Sequence, residues 1–574
     1  MVKGVFNRSG LTLRMMGLKP RIYILLLAAL SFAAGCESDV VTVADPVQPE
    51  SYTAIVKAFR EGKPYIGAKT VSTATKVFFQ DGSSVIVPSA EWTVSPVEDA
   101  PAELERVSVE RGDWLFDGER TGRKKTSGSL EESFPVYACY DIKYLIIKAS
   151  NGEEMVFDNG WEPESEIPDI PPPPPAREDD LHDKVIPASF AIPKVEIFTE
   201  GGAKIESKHN WVNATFKFTD PSKFYSEEEI LEVKGTIRGR GNTTWGMPKK
   251  PYRIKLGEKV KVFGPWGNKD WILLANYSDK TLLRNITMME VSRICGMSWT
   301  PRMLSVEVYL NNSYQGVYSF SDHKEIAGHR VNIEPAGEND LEGGYYLEIE
   351  EAMDEPVCFK TSVMDTPVMF HVPEQPTDAQ QKYVKDWFNG FEAALSEIQG
   401  KKDYTTWRLF ADVPSFVNYY IIQEIAKNPD GNVRKSTYIT KEKGKPLEMY
   451  HVWDFDITLG NCNYTNFEKP DGWQMRYVKW YNQMFHDPGF KKAVVDRWNE
   501  LYPALLEVPE FIDRQYRLMN GAETANFEKW QILGKYVWPN KYIFDTYQQE
   551  YGFLKEFYLD RLAWLNERIN SADY

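Results

Sequence analysis

The sequence predicts an α+β fold in two lobes, preceded by a small all-β domain. Three observations carry this prediction. Strand-like alternation fills residues 50–162 and returns from about 186 to 320. Long amphipathic helical stretches follow from 378, and no strand–helix–strand repetition links the two kinds. The run "ESEIPDIPPPPPAREDD" separates the β-rich regions, and its five consecutive prolines favour stiff polyproline II, so residues 166–185 are expected to form a linker.

Residues 1–35 carry Lys3, Arg8, Arg14, Lys19 and Arg21, no acid, and then "IYILLLAALSFAAG". An apolar run of about 12 residues is too short to span a bilayer. Closed by "AAGC", the segment resembles a bacterial lipoprotein signal peptide, with Cys36 as the lipidated residue. That implies a membrane-anchored lipoprotein, expected at the outer membrane or cell surface of a bacterium. Residues 36–50 form a polar tether, and 51–165 the β-rich N-terminal domain. Within it, "VFFQDGSSVIV" (77–87) and "LIIKASNGEEMVF" (145–157) each place apolar arms around Asp-Gly-Ser or Asn-Gly, the signature of a β-hairpin.

The remaining 186–574 contain the chemistry. "ILEVKGTIRG" (230–239) and "PYRIKL" (251–256) alternate as strands, the latter with Tyr252, Ile254 and Leu256 on one face and Arg253 and Lys255 on the other. "KTLLRNITMMEVSRI" (280–294) repeats at helical spacing, and "SVEVYLNNSYQGVYSF" (305–320) predicts a hairpin around Asn311-Asn312. Helices are expected at 378–399, 414–427, 488–506 and 548–570, with a second hairpin at 434–453.

Between the strands at 230 and 251 lies "GRGNTTWGMPKK", a loop punctuated by Gly239, Gly241 and Gly246. Exposed backbone N–H groups at such a loop can approach phosphates, and Lys249, Lys250, Arg253 and Lys255 supply positive charge nearby. The loop lacks the G-x-x-x-x-G-K-[ST] pattern, and its layout is nearer to the glycine loop of kinases. A tight turn flanked by solvated charges is the alternative.

The second constellation surrounds the hairpin at 434–453. Pro429 stops the preceding helix and leaves Asp430 just past its end. Counting outward from a turn near Gly444, Asp430 and Asp454 finish on the same side of the ribbon. Asp454 and Asp456 share a face if the chain stays extended, with Phe455 on the other. Carboxylates gathered so closely either take up a proton or attract a cation, and Mg²⁺ held by one or two carboxylates plus phosphate is the natural candidate. Exposed turn acids are the alternative.

The blocks "IRGRGNTTWGMPKKPYRIKL", "WILLANYSDKTLLRN", "VEVYLNNSYQGVY", "KNPDG" and "VWDFDITLG", in this order, resemble the spore-coat protein H (CotH) kinase family over about 186–570. The resemblance implies an atypical protein-kinase-like fold using ATP and Mg²⁺. Gly239 and Gly241 would clasp the nucleotide, Lys255 would contact its phosphates, and Glu290 would pair with Lys255. Asp430 would be the catalytic base, and Asp454 and Asp456 the metal ligands. Asp279, Arg284 and Asn285 match the family's D-x-x-x-x-R-N block, and Arg284 is counted with the nucleotide-binding set. One departure stands out. Five residues after the catalytic aspartate, where ordinary kinases place a metal-binding asparagine, this chain has Lys435.

Composition limits the partners. The chain has 67 Lys and Arg against 83 Asp and Glu, and loss of residues 1–35 removes five of the bases, leaving a net charge of −21. Nucleic acid is therefore not an expected partner, because phosphate backbones are bound by surplus Lys and Arg. Five scattered cysteines without a C-x-x-C indicate neither a zinc site nor a disulfide framework. The expected function is Mg²⁺-dependent transfer of phosphate from ATP to an unidentified protein hydroxyl on the exported side. The alternatives are a pseudokinase, a glycan- or protein-binding scaffold using the 17 Trp and 31 Tyr, and a glycoside hydrolase built on Asp430 with Asp454 or Asp456. "HKEIAGH" lacks metalloprotease spacing, and its histidines, His323 and His329, are expected at the surface.

Overall fold

The computed structural model describes residues 184–574 apart from 339, 402, 403, 572 and 573, with the backbone of nine short strands between 65 and 158. Residues 1–50, including Cys36, and nearly all of the proline-rich segment lie outside the described residues. The chain divides into two units. One ends at Ser165, and the other runs from Glu166 to Tyr574 apart from Lys443–Lys445.

In the first unit the strands form three antiparallel three-stranded sheets. They are β1–β3 (Tyr65–Val71, Ala74–Phe79, Ser84–Pro88), β4–β6 (Val107–Glu110, Asp113–Phe116, Glu119–Lys124) and β7–β9 (Pro135–Asp141, Tyr144–Ala149, Glu154–Asp158). The two sequence segments with hairpin signatures coincide with the β2–β3 and β8–β9 pairs, in which Val77 faces Val85 and Ile146 faces Val156.

The second unit is mixed α+β. Its first half is a closed seven-stranded barrel of β10 (Lys194–Thr199), β11 (Val212–Thr219), β12 (Ile230–Gly239), β13 (Tyr252–Lys261), β14 (Gly267–Leu274), β15 (Met303–Leu310) and β16 (Ser313–Asp322). Neighbours are antiparallel except β10 and β15, whose parallel pairing closes the ring. Period-two alternation sends Val195, Ile197, Phe216, Ile237, Ile254, Trp271, Val306 and Phe320 into one shared core. Arg238, Arg253 and Lys255 lie on the opposite face of β12 and β13. A four-residue helix, α1 (Thr243–Gly246), sits in the loop between those strands.

The second half combines a five-stranded antiparallel sheet with helices. The sheet runs β18 (Cys358–Lys360), β19 (Pro367–Val372), β17 (Tyr345–Ile349), β20 (Thr437–Lys441), β21 (Leu447–His451). The helices are α2 (Arg284–Cys295), α3 (Asp378–Lys401), α4 (Val413–Ala426), α5 (Lys479–Met484), α6 (Pro488–Leu505), α7 (Val508–Met519), α8 (Ala522–Lys529) and α9 (Tyr547–Ile569). Asp412 caps α4 by accepting from Ser415 N at 3.0 Å, Pro414 occupies its first turn, and Lys427 ends it at φ 45°. Every residue of α4 except Pro414 is buried, its polar Asn418, Gln423 and Glu424 included. Its Glu424 meets Arg561 of α9 at 2.7 Å, both side chains enclosed. Arg497 of α6 donates to Asn418 of α4 and to the Cys295 carbonyl, fixing α2 to the same bundle.

Two sequence expectations need correction. α2 starts at Arg284 rather than 280, because the Asp279 carboxylate accepts the Arg284 and Thr281 N–H groups and holds 279–283 as a turn. His323 is buried at 8% exposure and not at the surface, while His329 stacks on Trp266 with ring centroids 4.9 Å apart. Among the described residues no helix is long and apolar enough to cross a membrane.

Candidate active site

Two loops bring the acids together. The first leaves α4 and carries Asn428 and Asp430; the second leaves β21 and carries Asp454 and Asp456. Asn428 ties them, since its amide nitrogen donates to the Asp454 carbonyl at 3.2 Å and its amide oxygen accepts from Asp430 N at 2.9 Å. The second loop rests on the residues that open α2. Asn285 Oδ1 accepts from Phe455 N at 2.9 Å, and Arg284 Nε donates to the Thr458 carbonyl at 3.0 Å. Asp279 in turn meets Arg284 at 2.7 Å.

Asp454 is not extended, as expected from alternation, but left-handed at φ 67°. Val433 and Ser436 are left-handed too, at 58° and 46°. Such conformations cost non-glycine residues about 1–2 kcal/mol each and persist where surroundings over-determine them. Phe455 is fully buried, and its anchored N–H holds the bend that leaves Asp454 and Asp456 close together.

The electrostatics follow from that crowding. Burial, and then the Asp430 charge, push Asp454 up to about 6, with Arg240 acting against them. Burial and Asp454 raise Asp456 well above the usual carboxylate range. The Asp456 carboxylate accepts from Ser278 Oγ at 3.3 Å. The carboxylate of Asp454 accepts no hydrogen bond from any described residue. These are acids short of positive charge.

The glycine loop supplies the cation that acts on Asp454. Burial lowers the Arg240 guanidinium, and Asp454, Tyr438 and Asp456 are the neighbours that hold its charge. Arg240 of the glycine loop therefore lies within electrostatic reach of the acids. Glycine is required at two points of this loop. A Cβ on Gly239 would stand 2.3 Å from the Trp245 ring, and Gly241 has φ 82° with Thr244 Oγ1 2.2 Å from its Cβ position.

The other expected cations fall elsewhere. Lys249 is buried, donating to the Val317 carbonyl and to Asn526 Oδ1 at 2.9 Å, and burial drives its ammonium well below the ordinary lysine range. Lys250 folds back onto the Trp245 carbonyl at 2.7 Å. Arg253 pairs with Asp270 at 3.0 Å, and its charge is felt by Arg240, His323 and Lys324. Lys255 is exposed and carries no ion pair among the described residues. Glu290 is not its partner, because its carboxylate accepts two bonds from Arg293, one turn along α2. Arg284 is fully enclosed and supports the acid-bearing loop through the Thr458 carbonyl.

A cluster missing from the sequence expectations flanks the acids. Lys324, just past β16, lies 3.6 Å from Glu348 of β17 and 2.7 Å from His371 Nε2. Burial works to raise Glu348, but Lys324 and His371 bring it down to about 2. Both Glu348 and Glu350 contribute to the field at Asp454. Lys324 belongs to the "HKEIAGH" segment, whose histidine spacing drew attention away from its lysine.

No three His, Cys, Asp or Glu side chains among the described residues gather closely enough to hold a cation unaided. The unsatisfied Asp454 and the crowded Asp456 suit an ion that takes carboxylates on one side and phosphate oxygens on the other, as Mg²⁺ does. No curated protein matches the chain. A family model described as CotH kinase protein matches residues 237–565, from the strand that enters the glycine loop to the last helix. With this match spanning more than half its length, the chain belongs to the CotH kinase family.

Proposed function

We propose that the protein is an atypical protein kinase that transfers the γ-phosphoryl group of ATP to protein hydroxyls, anchored by lipid at Cys36 on the exported side of a bacterial membrane. In this reading the barrel is the first lobe and the helical half the second, with the cleft between them. The observation that carries it is that Arg240, from the glycine loop, lies within electrostatic reach of Asp454 and Asp456, while Asp430 acts on Asp454 from the other loop. A glycoside hydrolase has no need of such a cation, since its substrate is neutral.

Arg240, with Lys324 and Arg253 behind it, would face the phosphates. Asp454 and Asp456 would hold Mg²⁺, which supplies charge neutralisation for the triphosphate. Asp430 would orient the acceptor hydroxyl and take its proton. The remaining contribution is positioning, and the Asn428, Asn285 and Arg284 bonds provide it by fixing both acid-bearing loops. Incubating the protein with γ-labelled ATP, Mg²⁺ and a generic acceptor such as casein, beside Asp430→Ala and Asp454→Ala variants, tests the proposal. Label transfer that both variants lose supports it, and no nucleotide-dependent thermal shift refutes it. Lys435 in place of a metal-binding asparagine favours one other reading, a pseudokinase, which would bind ATP in the same assay without transferring label.

A further inference from the structure

We propose that Lys435 replaces the second metal site of ordinary kinases, so that this chain, on the phosphotransfer reading above, works with one divalent ion. Lys435 Nζ lies 3.6 Å from Asp430 Oδ1 and 3.0 Å from Glu351 Oε1. An ammonium therefore stands beside the base carboxylate, on the same loop, where an amide oxygen would otherwise await a metal. A divalent ion brought to that place would meet a like charge.

The nearest amides on the loop, Asn428 and Asn432, stand before the Lys435 position. Asn432 Nδ2 donates to the Pro429 carbonyl at 2.9 Å, and its Oδ1 is buried without a hydrogen-bond partner. Both amide atoms of Asn428 are committed to the Asp454 carbonyl and Asp430 N. The position of Lys435 is built into the backbone. Val433 and Ser436 flank it in left-handed conformations, Asn432 N donates to the Asp430 carbonyl at 2.7 Å, and Ser436 N reaches Glu350 Oε2 at 3.4 Å.

In the transfer step the acceptor oxygen forms a bond to the γ-phosphorus while the bond from that phosphorus to the β–γ bridging oxygen breaks. The bridging oxygen leaves with the electron pair on the nucleoside diphosphate, and the acceptor's proton passes to the Asp430 carboxylate. Lys435 stays protonated throughout. It is a positioning residue for Asp430, and its charge offsets the negative charge gathering on the phosphoryl oxygens.

The test counts metal as well as rate. Mn²⁺ bound by the full chain with a non-hydrolysable ATP analogue is measured by electron paramagnetic resonance. One ion is expected for the wild type and two for Lys435→Asn. Lys435→Ala is expected to lower kcat about 100-fold with KM for ATP changed less than about threefold, and Lys435→Arg to recover at least about a tenth of the rate. The Lys435 side chain is 31% exposed, so these substitutions remove little packing, and thermal melts of each variant check that it folds. Two ions in the wild type, or a Lys435→Ala kcat above about a third of normal, would overturn the assignment while leaving the kinase reading intact. A wild type that binds neither analogue nor Mn²⁺ would overturn the kinase reading itself.

Discussion

Replacing Asp454 by asparagine is expected to stabilise the resting protein while abolishing transfer. The folded carboxylate has no described donor, and burial, then the Asp430 charge, raises it from 3.8 to about 6. Between those values the native state binds more protons than the unfolded chain, so stability falls as pH rises through the interval and then levels off. The gap corresponds to about 3 kcal/mol at 1.36 kcal/mol per pH unit, fully present by pH 7.5. Asparagine keeps the side chain's shape and removes the charge, so the variant gains up to about 3 kcal/mol there, a rise in Tm of about 4 °C for a unit of this size. At pH 5 the gain falls to about half, and at pH 4 to well under 1 kcal/mol. Thermal melts across pH 4–8, with and without Mg²⁺ and ATP, measure this, and the nucleotide-dependent rise in Tm above pH 6 belongs to the wild type alone. A variant less stable than wild type at pH 7.5, or a gain equal at pH 4 and 7.5, would refute the reasoning.

Asn285→Ala removes the acceptor for Phe455 N, and is expected to lower stability by about 1–2 kcal/mol and to lower transfer at least tenfold; urea melts beside the labelling assay separate the two effects. Arg561→Ala strands Glu424 without its enclosed partner, and is expected to lose about 3–5 kcal/mol in the same melts. Lys441 sits over the Trp387 ring at 4.2 Å, and burial lowers its ammonium to about 7. The unfolded chain therefore binds the extra proton between pH 7 and 10.5, so the native protein gains stability as pH rises through that range. Lys441→Met is expected to add about 1–4 kcal/mol at pH 7, an advantage that shrinks by pH 10 in melts of both proteins.

Much of this fold is legible because its periods are local. The β12 and β13 alternation, the hairpin at Asn311-Asn312 and the largely apolar α4 need only their own residues to be recognised. The approach of Asp430 to Asp454 follows from counting outward from Gly444, whose positive φ of 69° makes the turn. Ring closure between β10 and β15 is not local, because strands 113 residues apart (Lys194 opposite Glu307) meet in parallel. The identity of the facing cation is hidden for a related reason. Alternation puts Arg253 and Lys255 on one face, but the direction of the cleft depends on how β17, β20 and the acid-bearing loops pack. That arrangement selects Arg240 and Lys324 over Lys255, and pairs Glu290 with its helix neighbour Arg293. The bend at Asp454 escaped the alternation rule because the bond that fixes it comes from Asn285, 170 residues away.

A ring of strands has no rim that can peel. Each of β10–β16 is hydrogen-bonded on both sides, so the barrel cannot open by unzipping one ribbon, and a guest strand finds no berth along it. Admission of a bulky ligand must then be accommodated at the 240–251 tip, where the pairing of β12 and β13 has ended. The five-stranded sheet keeps one bare margin at β18, only three residues long, since Asp412 N and the Phe410 carbonyl already engage Leu447 on the opposite side. Within this unit, so little open backbone among the described strands is a safeguard against chains knitting together edge to edge.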